Sequence, residues 1–273
     1  MNIKNKSVIV TGAGSGIGRE TAISFAKGGA RVAVVGRRAE KLAETKKIIE
    51  DLGAWCIDLP GDITQEHDTD EIIAETIYQF GKIDILVNNA GSFNTIGPIW
   101  ETDTESWWKD VTINILGTYL ITKKALEDMM KFKEGIIVFM NGGGAGFPLP
   151  GGSGYGIGKA GVLRLSDTLY KELQSVNCPI MTFAMGPGLV ETEMTHIQSD
   201  TEIGRKWLGG TKEYFDKGLD TPASACGKKM IEIIENMRPE LSGRIYDVNT
   251  DVQALLEDID SIVKEDRYTL RQR

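Results

Sequence analysis

The sequence contains little cysteine and histidine, and this scarcity excludes several kinds of site. Its 273 residues include three cysteines and two histidines. Cys56, Cys178 and Cys226 lie far apart, form no C-x-x-C pair and cannot all pair with one another, because their number is odd. We therefore expect reduced thiols and a cytoplasmic location. No metal site is expected, since His67 and His196 lack the spacing of zinc ligands.

Long apolar runs and an excess of positive charge are also missing. No apolar run approaches the roughly 20 residues that a membrane span needs, and residues 1–12 lack the apolar core of a signal peptide. The 39 acidic and 31 basic side chains give a net charge of -8, which disfavours binding to nucleic acid. The hydrophobic share of 41% is ordinary for a soluble globular protein. We expect a soluble protein with neither a nucleic acid nor a membrane as partner.

Short apolar runs, rich in β-branched residues, alternate with longer segments of helical periodicity. The runs 7–11, 31–35, 54–58, 83–87, 135–140, 179–184 and 244–248 are predicted to be strands of a parallel sheet buried on both faces. The segments 18–27, 40–52, 68–80, 104–131, 155–175 and 222–236 are predicted to be helices. This alternation indicates an α/β fold, a Rossmann-type doubly wound seven-stranded parallel sheet with helices on both faces. We expect a single domain over residues 1–250 and a C-terminal helical extension over 251–273.

The first predicted strand leads directly into a glycine-rich segment, residues 11–18 (TGAGSGIG), and then into a helix. Glycines permit a tight turn and let backbone N–H groups approach a diphosphate closely. The N-terminus of the helix adds about half a positive charge. A turn between strand and helix could use glycines for steric reasons alone, but the order of strand, turn and helix favours a dinucleotide site.

The end of the second predicted strand carries two arginines, Arg37 and Arg38, and no acidic residue before Glu40. An acid at this point would bind the adenosine 2′-hydroxyl of NAD, whereas an arginine would bind the 2′-phosphate of NADP. We therefore expect NADP to be preferred over NAD. The alternative is that both arginines only cap the next helix in solvent.

Tyr155 and Lys159 are one helical turn apart in a predicted helix and therefore share a face. A phenol has a pKa of about 10, which makes it a poor acid–base catalyst at neutral pH, and a nearby ammonium group would lower that pKa. Most such pairs lie on a solvated helix face. This pair follows a glycine-dense loop at the end of the fifth predicted strand, where a ligand binds in such a sheet. We therefore predict that Tyr155 is a general acid/base.

Six motifs occur in one order along the chain: residues 11–18, Asp62, residues 88–91 (NNAG), Asn114, Tyr155 with Lys159, and residues 187–192 (PGLVET). Together they resemble the short-chain dehydrogenase/reductase family in its compact single-domain form, over about residues 5–250. The resemblance implies an oxidoreductase that interconverts an alcohol and a carbonyl by hydride transfer with NADP(H).

The resemblance also implies a role for each matched residue. Tyr155 would donate the proton to the carbonyl oxygen in reduction, Lys159 would bind the nicotinamide ribose and tune Tyr155, and Asn114 would hold a water in a proton relay. The implied cofactor-binding residues are Gly12, Ser15, Gly16, Ile17, Gly18, Arg37, Arg38, Asp62, Ile63, Asn89, Ala90, Gly91, Tyr155, Lys159, Pro187, Gly188, Val190 and Thr192. Of these, Asp62 would meet the adenine and Thr192 the nicotinamide carboxamide.

One position departs from the family pattern. Members usually carry a catalytic serine about thirteen residues before the tyrosine, where this chain has Gly142, and residues 140–146 contain no serine. Ser153 is expected to cap the helix that follows it. In one interpretation the amide of Asn141 replaces the serine as a donor to the developing alkoxide. In the other, this donor is lost and the chain is a slow enzyme or a non-catalytic dinucleotide-binding sensor or scaffold.

The remaining expectations concern the substrate and the assembly. Residues 193–220, which contain aromatic residues, are expected to form a lid over a small-molecule substrate, with His196 on the surface. The resemblance suggests a homodimer or homotetramer built on helices 104–131 and 155–175. The last six residues, 268–273, are either an arm that docks on a neighbouring subunit or a frayed end.

Overall fold

A seven-stranded parallel sheet organises the chain. The computed structural model describes residues 1–270, and in them the strands are β1 (Ser7–Thr11), β2 (Arg31–Gly36), β3 (Cys56–Pro60), β4 (Ile85–Asn88), β5 (Ile136–Met140), β6 (Met181–Gly186) and β7 (Arg244–Asp247). Their order across the sheet is β3-β2-β1-β4-β5-β6-β7, and all neighbours are parallel. The predicted doubly wound fold is confirmed. Three strands, β3, β4 and β6, begin two residues later than predicted.

Helices cover both faces of the sheet. They are α1 (Gly16–Lys27), α2 (Ala39–Asp51), α3 (Glu66–Phe80), α4 (Thr104–Thr112), α5 (Thr118–Phe132), α6 (Ser153–Ser175), α7 (Glu193–Asp200), α8 (Glu202–Leu208), α9 (Gly210–Asp216), α10 (Ala223–Asn236), α11 (Val252–Glu257) and α12 (Ile259–Lys264). Apolar side chains of α1, α2 and α10 pack in one core, and those of α3, α5 and α6 pack in the other. Successive strand residues enter opposite cores, as Val8 and Ile9 do, because side chains alternate along a strand.

The helix predicted over residues 104–131 is not continuous. A π-helical turn, Ile113–Gly117, separates α4 from α5. Within it the amide nitrogen of Asn114 donates to the carbonyl oxygens of Asp110, at 2.8 Å, and Ser92, at 2.7 Å. The side chain thus occupies the carbonyl that an ordinary helical turn would pair with the backbone N–H four residues later. This explains the widened turn, a feature frequent at functional sites.

The extension after β7 also differs from its prediction as one helix over residues 251–264. It forms two short helices that meet at Asp258, whose carboxylate pairs with Arg267. The segment then returns to its own sheet, where the carbonyl of Tyr268 accepts a hydrogen bond of 2.7 Å from the N–H of Ile245 in β7. Tyr268 is therefore neither frayed nor free to act as an arm. Residues 271–273 of the predicted arm lie outside the described part of the chain.

The three thiols are free, and two of them are inert. Cys56 and Cys226 are buried, and burial raises the pKa of each thiol to about 12, which disfavours the reactive thiolate. Within residues 1–270, no helix combines the length and the apolar character that a membrane span requires.

Candidate active site

The carboxyl ends of β1 and β4 are tied together at the glycine-rich loop. The hydroxyl oxygen of Thr11 accepts hydrogen bonds from the N–H groups of Asn89, at 3.0 Å, and Ala90, at 2.9 Å. The Asn89 amide returns a bond of 2.8 Å to the Thr11 carbonyl. Gly12 has a φ of 67°, and a Cβ built on it would lie 2.9 Å from the Cα of Ala90. The close approach of the two loops therefore requires glycine here.

The first turn of α1 leaves its N–H groups without a side-chain partner. Ser15 is the N-cap residue but makes no side-chain capping bond, and the first turn carries no acidic residue. The N–H of Arg19 is the first that bonds back, to the Ser15 carbonyl at 3.2 Å. Open N–H groups at a helix N-terminus are the donors that a diphosphate accepts from. The residues present therefore fit a dinucleotide cofactor.

Two exposed arginines lie at the predicted adenosine end of the cleft, and Arg38 has side-chain partners. Arg38 donates to the Ser15 hydroxyl, at 3.1 Å, and forms an ion pair of 3.0 Å with Glu193 at the start of α7. Arg38 is also the N-cap residue of α2, where its backbone carbonyl accepts from Lys41 and Leu42 but its side chain makes no capping bond, so the helix-cap alternative stays open. Arg37 is exposed, and Glu40 is the acidic residue of the first turn of α2.

Asp62 and Ile63 follow β3, as predicted, and both have structural partners. The Asp62 carboxylate accepts bonds from the backbone N–H and the hydroxyl of Thr64, at 3.0 and 2.8 Å. Ile63 is buried against the π-helical turn, where a Cβ on Gly117 would lie 2.7 Å from it. Their predicted contact with an adenine remains a prediction.

Lys159 and Asn114 meet beside Gly91, and Lys159 meets Tyr155 beside Gly142. Asn114 is fully buried, and its Oδ1 has no hydrogen-bond partner among the described residues. A Cβ built on Gly91 would lie 2.8 Å from this oxygen and 3.5 Å from the Lys159 ammonium nitrogen. An unpaired buried acceptor thus lies near an ammonium group, and buried polar groups of this kind are commonly satisfied by a water.

The expected lowering of the Tyr155 pKa is absent. Burial raises the pKa of Tyr155 to about 12 and lowers the pKa of the Lys159 ammonium to about 8. The ammonium donates to the Met140 carbonyl, at 3.0 Å, and lies 5.7 Å from the centre of the phenol ring. The structure shifts this pKa opposite to the prediction because removal from water disfavours the charged phenolate.

The glycine segment after β5 places Gly142 directly against the phenol. A Cβ built on Gly142 would lie 2.2 Å from the Tyr155 hydroxyl oxygen. The side-chain oxygen of the neighbouring Asn141 accepts a 2.7 Å bond from the Gly142 N–H. Ser153 does not cap α6, because Gly152 is the N-cap residue and the Ser153 hydroxyl accepts a 2.9 Å bond from Trp107.

Sequence reasoning missed Phe93, which stacks on the phenol of Tyr155. The two rings are 4.4 Å apart between centroids and 6° from parallel, and Phe93 is buried. The sequence does not indicate that these two residues pair, because they are 62 positions apart and meet only through the sheet. It does place Phe93 just after the Asn88–Gly91 motif, in a loop that follows β4 and is therefore expected to lie near the site.

The segment after β6 packs on the glycine-rich loop. Thr192 and Thr195 form a capping box that begins α7, and the Thr192 methyl would lie 3.0 Å from a Cβ on Gly16. Gly188 has a φ of 74° and sits against Thr221. Val190 is buried, and its carbonyl accepts a 2.9 Å bond from the Thr195 hydroxyl. Thr192 thus lies against the glycine-rich loop, and the contacts of residues 187–192 to a cofactor remain predictions.

Helices α7, α8 and α9 form the segment predicted as a lid, and aromatic side chains gather beside it. Trp207 of α8 packs on Gly151 and meets Trp100 edge-on, with ring centroids 6.4 Å apart. Trp100 and Phe147 are exposed. His196 is on the surface, as expected, 3.3 Å from the Asp200 carboxylate.

Comparison with known proteins agrees with this geometry. The sequence model described as short chain dehydrogenase matches residues 6–203. A relative from Monascus purpureus, named short chain dehydrogenase mpl6, is 32% identical over 97% of this chain and 88% of its own length. A relative from Arabidopsis thaliana, named 11-beta-hydroxysteroid dehydrogenase-like 3, is 40% identical over 71% of this chain and 62% of its own length.

Solved structures show the same fold. A crystal structure of an actinorhodin polyketide ketoreductase with NADPH has a TM-score of 0.81 at 27% identity, covering 89% of this chain and 95% of that one. An NAD+-bound xylitol dehydrogenase has a TM-score of 0.79 at 20% identity, over 90% of this chain and 98% of that one, and this likeness concerns the fold alone. The chain belongs to the short chain dehydrogenase family. It is an oxidoreductase enzyme of that family.

Proposed function

We propose that the protein interconverts an alcohol and a carbonyl with NADP(H), and that Tyr155 transfers the proton. The observation that carries this proposal is that Lys159 lies with Tyr155 at Gly142 and with the unpaired Asn114 oxygen at Gly91, in the loop that packs on the glycine-rich loop before α1. Bound at this cleft, the nicotinamide cofactor supplies or accepts the hydride. The protein holds the reactants and manages the proton.

The cofactor would be held by the residues that line the cleft from the glycine-rich loop to α7. The N–H groups of Gly16, Ile17 and Gly18 would bind the diphosphate, and Arg37 with Arg38 would bind the 2′-phosphate. The absence of an acid between Gly36 and Glu40 supports NADP over NAD. Asp62, Ile63, Asn89, Ala90, Gly91, Pro187, Gly188, Val190 and Thr192 would complete the cleft.

In the direction of reduction, Tyr155 donates its proton to the carbonyl oxygen. The raised pKa keeps the phenol protonated at neutral pH, so the proton is present, and the Lys159 ammonium would stabilise the phenolate that forms when it leaves. Lys159 would bind the nicotinamide ribose, and the Asn114 oxygen would hold a relay water that returns a proton toward Tyr155. Asn141 would be a second donor to the oxygen through its amide nitrogen.

The substrate would be a small molecule that carries its reacting carbon on an apolar body, since the exposed side chains beside the cleft include Trp100 and Phe147. The names of two compared proteins mention a hydroxysteroid and a polyketide, so cyclic ketones are the first compounds to screen. The cytoplasmic location and the homodimer or homotetramer inferred from the sequence are part of the same proposal.

The test is a screen of ketones, polyols and their alcohols that follows NADPH consumption or NADP reduction, combined with a binding titration of NADPH and NADH. Tyr155→Phe should lower kcat about 100- to 10,000-fold without loss of NADPH binding, the scale of a lost proton donor. Asn141→Ala should lower kcat about 10- to 1000-fold, as loss of one oxyanion donor does. Tyr78→Phe, on an exposed side chain far along α3, is the matched control.

Three outcomes would count against the proposal. Tighter binding of NADH than of NADPH would overturn the role of the arginines. Full activity of Tyr155→Phe would remove the phenol from the reaction. Tight cofactor binding without turnover on a broad panel would favour the sensor.

A further inference from the structure

We propose that Phe93 is a positioning residue, which holds the phenol of Tyr155 against the bare backbone of Gly142, so that the hydroxyl fills the space a side chain at 142 would need. The inference rests on the proposed function only in assigning the proton to Tyr155. The position of the phenol then explains why residue 142 is a glycine and not the serine usual in the family.

The first observation is the contact at the tip of the phenol. At 2.2 Å, the separation between a Cβ on Gly142 and the Tyr155 hydroxyl oxygen is far below van der Waals contact. The same Cβ would lie 3.0 Å from the ring carbon that bears the hydroxyl and 3.3 Å from Cε of Lys159. A serine at 142 and the phenol in its present place exclude one another.

The second observation is that the phenol has little freedom to move aside. Phe93 covers one face of the ring, nearly parallel at 4.4 Å. Phe93 is itself confined, because it is 3% exposed and a Cβ on Gly152 would lie 2.7 Å from its Cζ. Phe93 therefore has little free space around it, with the tip of its ring against Gly152.

A packed ring can help to fix an orientation, and orientation matters because a misplacement of about 1 Å can cost about 100-fold in rate. In this chain the stack with Phe93 limits movement of the ring toward Phe93, and the contact with Gly142 limits movement of the hydroxyl toward residue 142. The stack also excludes water from one face of the phenol, in keeping with its raised pKa.

The test is a double-mutant cycle on Gly142→Ser and Phe93→Leu, with kcat and NADPH affinity measured for each variant. Gly142→Ser should lower kcat by about 10- to 100-fold, although it restores the residue usual in the family, because it displaces the phenol. Phe93→Leu should lower kcat by about 10-fold, with NADPH affinity unchanged. In the Phe93→Leu background, Gly142→Ser should cost about 3-fold or less, because the phenol can then move aside.

A second readout does not depend on turnover. In protein labelled with 13Cζ-tyrosine, the Tyr155 signal, assigned with Tyr155→Phe, follows ionisation of the phenol by NMR. Phe93→Leu should move its titration midpoint to lower pH, because water reaches the exposed ring face. Phe80→Leu is the matched control: Phe80 is equally buried and lies edge-on to Trp55, far from the site, so it should move neither kcat nor this midpoint.

The outcomes separate the two proposals. The role of Phe93 would be overturned if Gly142→Ser had a kcat at or above that of the parent. It would also be overturned if Gly142→Ser lowered kcat by the same factor in the parent and in the Phe93→Leu background. An unchanged midpoint in Phe93→Leu would do so even if Gly142→Ser failed to fold. Absence of turnover in the parent would instead sink the proposed reaction, while the NMR titration would still decide whether Phe93 confines the phenol.

Discussion

At the scale of single residues, the site places two ionisable groups where water cannot stabilise their charges. Burial raises the pKa of Tyr155 and lowers that of Lys159, so both neutral forms are favoured. Lys159 is 5% exposed and donates to the Met140 carbonyl. An ammonium group held this way costs stability, and its position beside the reacting groups explains why the fold tolerates that cost.

Replacing the buried ammonium should make the protein more stable and less active. Because the pKa of Lys159 falls from 10.5 to about 8 on folding, its cost is complete below pH 8 and fades as pH rises toward 10.5. Lys159→Met should therefore raise the free energy of unfolding by up to about 3 kcal/mol at pH 7, and less at pH 10.

Urea unfolding of Lys159→Met and parent at the two pH values checks this sign. Lys171→Met, on an exposed lysine of the same helix, is the control and should show no such pH dependence. A variant less stable than the parent at pH 7 would show that the ammonium stabilises the fold.

At the scale of elements, the π-helical turn between α4 and α5 carries both structure and function through one side chain. The amide nitrogen of Asn114 closes the turn through Asp110 and joins it to the loop after β4 through Ser92, which leaves the side-chain oxygen for the site. An ordinary helical turn would pair the Asp110 carbonyl with a backbone N–H and remove the reason for this orientation.

Asn114→Ala should destabilise the protein by about 2 to 4 kcal/mol, because two carbonyls in a buried environment lose their donor. Chemical denaturation measures the loss. Asn236→Ala, which removes a single exposed bond at the end of α10, should cost far less and serves as the control. A loss below about 1 kcal/mol would mean that water replaces the amide at both carbonyls.

At the scale of the whole molecule, large apolar side chains remain exposed on neighbouring helices. Trp108, Leu116, Tyr119 and Ile157 belong to α4, the π-helical turn, α5 and α6, the segments on which the proposed homodimer is built. Contiguous exposed apolar patches mark association surfaces, and we propose that these side chains contribute to one. The net charge of -8 opposes association only weakly at physiological salt.

Introducing charged side chains on this surface should weaken the association of subunits. Tyr119→Glu combined with Ile157→Glu should dissociate a homodimer, or reduce a homotetramer to smaller species, as measured by light scattering at micromolar concentration. Tyr78→Glu, on the exposed face of α3, is the control and should leave the assembly unchanged. A parent that is itself monomeric, or a double variant that keeps the parent's mass, would contradict the proposed interface.

Local chemistry made the sheet and the position of the site predictable. Apolar runs such as 31–35 and 135–140 read as buried strands, and chain order alone implied the crossovers that bring the loops after β1, β4, β5 and β6 to one edge. Tyr155 and Lys159 could be paired because a helix fixes the relation of residues one turn apart.

The contacts that fix the side chains of the site could not be predicted from the sequence. The stack of Phe93 on Tyr155, the contact of the phenol with Gly142 and the unpaired Asn114 oxygen join segments far apart in the chain. The pKa of Tyr155 moved opposite to expectation for the same reason, since spacing along a helix says which charges are near but not how much water is excluded. Hydrophobic periodicity is a local property that can be recognised in the sequence. The removal of side chains from water and the steric contacts between them arise only when the whole chain has packed.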